Sequence, residues 1–464
     1  MGSNVSKPVI NEYFSRKLAN GKVLVATCHG SWSIVSQEQF DMLDKEEFAS
    51  DKMLLRDLED KGIVLTEDGV RKIVSSYRAH YFHLADSRPL CIVYLTNKCN
   101  LACKYCHSDS DSDSDSDEMS DDVARAIINF ICNMPQKHIA IEFQGGETLL
   151  RFGALKRFLK LFNEKVKHAG KIVESKVIVT NMTLMTEEIA EFIFDNNIGL
   201  STSLDGPKEL HDRQRPFPDG SGSYNALMTW AEYFSARGKK LKFLPTITSI
   251  SLEYDPKSIV DAYIDAGAKC MMFRSVYGVG RGAKDTKLLM DPARYFEFWR
   301  KAIDYMVELS MDGNVFYDST LQSMLVSIFT DRRSNMCMRR PCGAGITQFA
   351  FYLDGSIYAC DLGKKIDTFK LGDVMSSSYE DVFLNTIQLR TNTSEFQPLC
   401  DTCVYGAFCG ACVCKSYAQH GNIVPMTPID FDCKVNKMMF DYIFEKMNDP
   451  VYRSVFEMWV RLRV

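Results

Sequence analysis

Cys99, Cys103 and Cys106, in the run CNLACKYC, carry the clearest chemistry in this chain. Three thiolates spaced C-x3-C-x2-C can hold three irons of a four-iron, four-sulfur (4Fe–4S) cube, which leaves the fourth iron open for chemistry beyond electron storage. A zinc knuckle is the alternative, because His107 follows Cys106 directly and zinc favours four closely spaced Cys or His ligands. A second field lies further on, where residues 337–433 hold nine cysteines: 337, 342, 360, 400, 403, 409, 412, 414 and 433. Two four-iron clusters with complete protein ligation use eight thiolates, leaving one over. The C-x2-C pairs in this field also suit a zinc ribbon. Cys28, Cys91, Cys132 and Cys270 fit no such spacing and read as buried apolar residues.

The elements that must position these thiols alternate strand and helix from about residue 88 to 330, which implies a parallel sheet covered by helices. Expected strands are 90–95 (LCIVYL), 138–143, 176–180, 198–204, 242–247 and 270–275. Between them run helical patterns such as Leu155, Phe158, Leu159, Phe162 and Val166 on one face. Six units make an open, partial (β/α)6 barrel, whose active site belongs at the C-terminal strand ends. The first cysteines leave one of those ends, and QGGET (Gln144 to Thr148) leaves the next. There Gly145 and Gly146 permit a close backbone approach to a ligand, and Glu147 can accept hydrogen bonds from an ammonium. TNMTLM (180–185) and STSLDGPKELHDRQRP (201–216) leave the third and fourth.

Composition bounds the rest. The 464 residues are 46% hydrophobic and 25% charged, with room for two or three domains. A net charge of −5 argues against a general nucleic-acid or membrane-surface binder. No signal peptide or bilayer-length apolar run stands out, and the opening MGSNVS matches the myristoylation pattern only by chance. Sixteen cysteines in clusters then point to metal binding in a reducing cytoplasm rather than a disulfide framework. Ser108 to Asp117 is a perfect Ser-Asp repeat, read as a solvated loop, or alternatively as a lid for a basic peptide. It leads to Ser120, a helix N-cap followed by Asp121 and Asp122. At the N-terminus, 23–28 and 31–36 form a hairpin with a His-Gly turn. Two short helices and GIVL (62–65) complete a small unit.

The loop motifs together resemble the radical S-adenosylmethionine (SAM) superfamily, whose cluster motif is C-x3-C-x-aromatic-C. That resemblance implies a 4Fe–4S cluster on Cys99, Cys103 and Cys106, with SAM on its open iron and Tyr105 packed near the adenine. It further implies that Gly145, Gly146 and Glu147 grip the SAM amino group and that Asn181 lines the site, with Met182 where glycine is usual. Ser203 and Asp205 would serve the ribose hydroxyls and Arg215 the SAM carboxylate. The spacing Cys342-x12-Gly355-x4-Cys360, then Cys400-x2-Cys403-x5-Cys409, resembles the SPASM domain of radical SAM peptide-modifying enzymes. By that resemblance Cys337, Cys342 and Cys360 bind a first auxiliary cluster, completed by Cys412 or Cys414. Cys400, Cys403, Cys409 and Cys433 bind a second. The family pattern wants the completing thiol at position 413, which here is Val413. Asp361 stands where related sulfatase-maturating enzymes have an acid thought to take the substrate proton, and capping the cluster loop is its other reading.

The resulting fold class is α/β: a partial (β/α)6 radical SAM barrel with an N-terminal winged-helix-like module and a C-terminal cysteine-rich SPASM domain. The divisions expected are 1–85, 86–330, 331–435 and a helical 436–464. The N-terminal module weakly resembles peptide-recognition units that add a leader peptide as an extra strand, and a packing cap on the barrel is the alternative. The whole is most similar to the maturase of His-Xaa-Ser peptide systems. That implies oxidative crosslinking of a ribosomally made precursor peptide, three 4Fe–4S clusters, SAM, and a reducing donor such as flavodoxin or ferredoxin. Peptide epimerisation, sulfatase-type oxidation of a Cys or Ser, and a non-enzymatic scaffold are the competing readings.

Overall fold

The computed structural model describes residues 9–82, 88–108, 110, 118–332, 337, 339, 342–386, 397–423 and 425–462. Most of the Ser-Asp repeat, the expected boundary at 85/86 and part of the segment around Cys337 lie outside the described residues. β1 (Val9–Ile10) pairs antiparallel with β5 (Val64–Leu65), while β2 (Tyr13–Lys17), β3 (Val23–Thr27) and β4 (Trp32–Val35) form an antiparallel sheet in that order. The expected hairpin is therefore β3–β4, turned by Gly30 at φ +93°, a region that residues with a Cβ resist. β2 is an addition, since YFSRK carries no clean alternation. Helices Gln37–Asp44, Lys52–Asp60 and Glu67–His80 follow, capped by Ser36, Asp51 and Thr66.

One face of this sheet makes a small core with Leu43, Phe48, Leu54 and Leu58, while Leu24 and Ala26 join the main core. The sheet is clasped to the helix Asp430–Lys446. Arg16 makes two 2.6 Å hydrogen bonds to Asp441, and the Trp32 ring meets Phe444 edge-on at 5.3 Å.

β6 (Leu90–Tyr94), β7 (His138–Gln144), β8 (Ile172–Val179), β9 (Gly199–Thr202) and β10 (Lys242–Phe243) lie side by side, all parallel. β7 shows how side chains divide between faces. Ile139, Ile141 and Phe143 are buried, with Phe143 edge-on to Phe158 at 5.3 Å, while Glu142 and Gln144 take the other face. The helix Phe152–His168 buries the five apolar residues its periodicity picks out, and Ser120 caps Asp121–Asn133 as expected. The fifth and sixth strands are shorter than their sequences suggest. Pro245 lacks the N–H that would continue β10. β11 (Cys270–Met271) meets that wall only through the bridge Ile247–Ser275 and pairs in parallel with β12 (Tyr317–Asp318).

At the other edge, β13 (Gln348–Phe351) joins β6 in parallel, and β14 (Ser356–Tyr358) and β15 (Lys370–Asp373) extend the sheet antiparallel. The cysteine-rich region is thus continuous with the barrel sheet. The expected boundary at 435/436 is corrected, because it falls inside Asp430–Lys446, which carries Cys433. Among the described residues no helix is long and apolar enough to cross a membrane.

Candidate active site

The cysteine loop leaves β6, and the next loop holds its backbone. Gly146 N donates to Thr96 O at 3.0 Å and Glu147 N to Lys98 O at 2.8 Å. A Cβ on Gly146 would stand 2.2 Å from Lys98 O, and one on Gly145 2.6 Å from Thr96 O. The close approach expected of these glycines is therefore to the cysteine loop itself. Glu147, 1% exposed, accepts hydrogen bonds from Leu149 N (2.9 Å), Thr180 Oγ1 (2.7 Å) and Asn181 N (2.7 Å). Burial raises its pKa against those bonds. Three of roughly four acceptor positions are filled, and one is left for an ammonium donor. Asn181 Nδ2 donates to Asn100 Oδ1 at 2.9 Å, bracing the cysteine loop from the third strand end. Met182 is fully buried at φ +64°, the left-handed region that favours the glycine usual there.

Tyr105, Asp205 and Arg215 are brought together. The Tyr105 hydroxyl lies 2.9 and 2.6 Å from the two Asp205 oxygens and accepts from Arg215 Nη1 at 2.7 Å. Asp205 is fully buried and also accepts from Thr246 N (3.1 Å) and Gln214 Nε2 (3.2 Å). Three donors fill three of its roughly four acceptor positions and make it a strut between loops, with one position left for the ribose contact expected of it. Ser203 is half-buried and has no hydrogen-bond partner among the described residues. His211 Nδ1 accepts from Asp205 N at 3.4 Å, and its Nε2 lies 3.1 Å from Ser223 Oγ, which itself donates to Arg215 O at 2.6 Å. The neutral Nε2–H tautomer satisfies this chain, and burial lowers the His211 pKa to about 3.

Sequence reasoning missed a clamp after the sixth strand, Gly280-Arg281-Gly282. Arg281 N donates to Cys106 O (2.9 Å), its Nη1 to Cys103 O (2.9 Å), and its Nη2 to Ser110 O. A Cβ on Gly280, at φ +60°, would stand 2.5 Å from Cys106 O and 2.6 Å from His107 O. The available signal was the alternation of Gly278, Gly280 and Gly282 around an arginine at a strand end.

The later cysteines gather in two groups. Cys360 and Cys414 have their Sγ atoms 3.4 Å apart, and Cys337, Cys342 and Cys412 lie in the same electrostatic neighbourhood. Burial pushes the Cys412 thiol up to about 12. Both Cys412 and Cys414 reach this group, so the choice between them stays open. Cys400, Cys403, Cys409 and Cys433 line one cavity of about 60 Å³. By donor chemistry each group fits a thiolate-held cluster. Among the described residues no three Cys, His, Asp or Glu side chains converge on a point that could hold a single metal ion. Cys91 is buried and Cys132 and Cys270 half-buried, but Cys28 is exposed beside the hairpin turn, 3.0 Å from Tyr77 Oη, which corrects its reading as a core residue.

Asp361, three residues past the Tyr358 end of β14, arrives beside the ends of β6 and β7. It accepts from Tyr94 Oη and from Lys364 Nζ (3.0 Å), and His107 Nε2 lies 3.2 Å from its other oxygen. Burial would raise the Asp361 pKa, but Lys364, His107 and Tyr94 overcome it and hold the carboxyl well below its usual range. A carboxylate so held accepts a proton poorly until a partner is displaced. His107 turns to Asp361 and not to the cysteines, which removes it as a fourth zinc ligand. Beyond Tyr277, edge-on to His107, a cavity of about 310 Å³ opens between Leu289, Phe431 and the Lys415–Asp432 pair (2.9 Å).

Residues 93–254 match the family model described as the Radical SAM superfamily. The chain is 25% identical over 359 residues to a cysteine-type anaerobic sulfatase-maturating enzyme of Clostridium perfringens strain 13, a match covering 75% of this chain and 94% of that one. The solved structure of native anSMEcpe with bound AdoMet superposes with a TM-score of 0.68 at 22% identity, covering 79% of this chain and 100% of the other. That of Streptococcus suis SuiB bound to precursor peptide SuiA gives 0.54 at 15% identity, covering 90% and 98%.

Proposed function

This chain is a radical SAM enzyme, carrying that domain at residues 93–254, and we propose that it modifies a ribosomally made precursor peptide and leaves an oxidative crosslink in it. The observation that carries the reading is Asp361. A hairpin belonging to the cysteine-rich region is built into the barrel sheet through β13 and β6, and it sets this acid beside Tyr94 and His107 at the strand ends. A substrate group entering there meets both the radical site and the auxiliary thiols. The likeness to peptide-bound SuiB over 90% of this chain supports a peptide in that place.

Cys99, Cys103 and Cys106 would hold a 4Fe–4S cluster, which with SAM would supply radical hydrogen-abstraction chemistry. The chain's own residues do the rest. Arg281, Gly146 and Glu147 hold the cysteine loop, Glu147 keeps one acceptor for the SAM ammonium, and Ser203 offers an uncommitted hydroxyl. Arg215 keeps guanidinium N–H groups for the SAM carboxylate beyond the one given to Tyr105. Asp361 takes the substrate proton only if the substrate displaces Lys364, His107 or Tyr94. Cys337, Cys342, Cys360 and one of Cys412 and Cys414 hold the first auxiliary cluster, and Cys400, Cys403, Cys409 and Cys433 the second. Residues 1–85 serve as the leader-recognition module, with a flavodoxin or ferredoxin as electron donor.

Sulfatase-type maturation is the second reading, favoured by the 25% identity that spans 94% of the Clostridium perfringens enzyme. The test is anaerobic co-expression with the short peptide encoded beside the gene, using wild type and a Cys99/Cys103/Cys106 triple-alanine variant. Loss of two hydrogens from the peptide with wild type alone is expected. An unchanged peptide mass, with conversion of a sulfatase Cys or Ser instead, overturns the crosslinking reading.

A further inference from the structure

Around the barrel mouth the charges are matched one by one. Lys364 meets Asp361 at 3.0 Å, Lys415 meets Asp432 at 2.9 Å, and Arg215 reaches Asp205 through the Tyr105 hydroxyl. Glu142 accepts from Gln144 Nε2 at 2.5 Å, and Glu147 accepts three loop hydrogen bonds. Arg274 is the cation left over. Among the described residues no carboxylate lies within 4.0 Å of its guanidinium; its neighbour is the neutral phenol of Tyr277, a hydrogen-bond partner whose ring centre lies 5.6 Å away.

Its place is fixed. Arg274 follows the sixth strand, and its carbonyl accepts from Ile247 N at 2.8 Å while Val276 N donates back to Ile247 O at 2.9 Å. The side chain is half-buried at the C-terminal strand ends, within the fields of Asp361, Tyr105 and Tyr277. Burial works against its charge, yet those neighbours keep it protonated. A cation withdrawn from water without a paired anion is costly, and a guanidinium's planar fork matches a carboxylate with two parallel hydrogen bonds.

We propose that Arg274 is the carboxylate anchor of the substrate pocket, binding either the methionine carboxylate of SAM or an acidic residue of the peptide. The proposal rests on the radical SAM peptide-modifying reading above, and it names a specificity-determining residue for it. An anchor for the peptide selects substrates with Asp or Glu near the modified position. An anchor for SAM divides the SAM carboxylate's recognition between Arg274 and Arg215.

The experiment uses the reconstituted full-length holoenzyme, comparing wild type with Arg274→Met and Arg274→Lys after matching iron and sulfide contents. One arm measures the KM for SAM in reductive cleavage without peptide. The other selects peptides from a displayed random library and counts Asp and Glu in those retained. If SAM is the source, Arg274→Met raises the SAM KM about tenfold or more and leaves the library profile alone. If the peptide is the source, wild type enriches acidic residues, Arg274→Met does not, and the SAM KM is unchanged. Arg274→Lys keeps the charge without the fork and falls between. A SAM KM equal to wild type, with no acidic enrichment that depends on Arg274, overturns the proposal, and an empty selection counts the same way. Should Arg274→Met fail to hold iron, Arg274→Gln carries both arms. Wild type that does not cleave SAM defeats the underlying reading instead, so the two failures are distinguishable.

Discussion

Replacing Gly280 with alanine tests whether the glycine–arginine clamp positions the first cluster site. The added Cβ would stand 2.5 Å from Cys106 O and 2.6 Å from His107 O, both backbone atoms, where real contacts do not fall below 3.0 Å. The cysteine loop must therefore shift by about half an ångström, and φ +60° adds about 1–2 kcal/mol of its own for a residue with a Cβ. A 1 Å misplacement near reacting atoms can cost about 100-fold, so half of that distance predicts roughly tenfold slower SAM cleavage. Cys106 is also the thiol that moves, so iron per chain should fall and the reduced cluster's electron paramagnetic resonance signal should change shape. Gly278→Ala is the control. Two residues upstream, its Cβ meets nothing within 4 Å and its φ is not positive, so it should match wild type. Wild-type iron content, spectrum and cleavage rate in Gly280→Ala would refute the clamp as a positioning device.

Other perturbations follow from the same contacts. Arg281→Met removes charge-assisted bonds to Cys103 O and Ser110 O, each about 1.5–3 kcal/mol, and should lower the first cluster's occupancy while leaving the auxiliary irons in place, as read by Mössbauer spectroscopy. His211 is held neutral with its pKa lowered to about 3, so the unfolded chain binds a proton that the folded chain refuses. Stability should therefore fall as pH drops from about 6.5 towards 3, and His211→Gln should flatten that slope in denaturant titrations. Asp318 runs the opposite way. Burial raises its pKa to about 6, so its contribution is present below the ordinary value of 3.8 and is lost as pH rises through about 6; Asp318→Asn should gain on wild type across that window in thermal melts. Met182→Gly relieves a left-handed φ but deletes a fully buried side chain, and should lower stability by about 1–3 kcal/mol net.

How much of this was legible depended on range. Short-range signals carried well: the thiol spacing at Cys99, Cys103 and Cys106, the β3–β4 hairpin, the apolar face of Phe152–His168 and the Ser120 cap each sit within one turn or one alternation. The pairing of β13 with β6 joins Phe351 to Val93 across the whole barrel, and nothing periodic in QFAF names its partner. The bracing role of Asp205 was not legible because a short polar motif does not disclose burial, which here comes with hydrogen bonds from Thr246 and Gln214 on later elements. Arg281 was missed because its partners are carbonyl oxygens, which every residue has. Cys28 belongs to an unpacked turn, although its neighbours VLVAT are all buried.

The clasp between the first sheet and Asp430–Lys446 bears on how the chain is made. Arg16, Ala19 and Lys22 find Asp441, Glu445 and Asn448, which are 425 or 426 positions later. At about 5–20 residues per second of synthesis, β2 and β3 leave the ribosome roughly 20–90 s before the helix that covers them. Leu24 and Ala26 wait uncovered for that interval, although Val23, Val25 and Val35 on the sheet's other face can already close on Leu54 and Leu58. Nascent chains stalled short of residue 430 should therefore engage chaperones through this first sheet, and full-length chains should not.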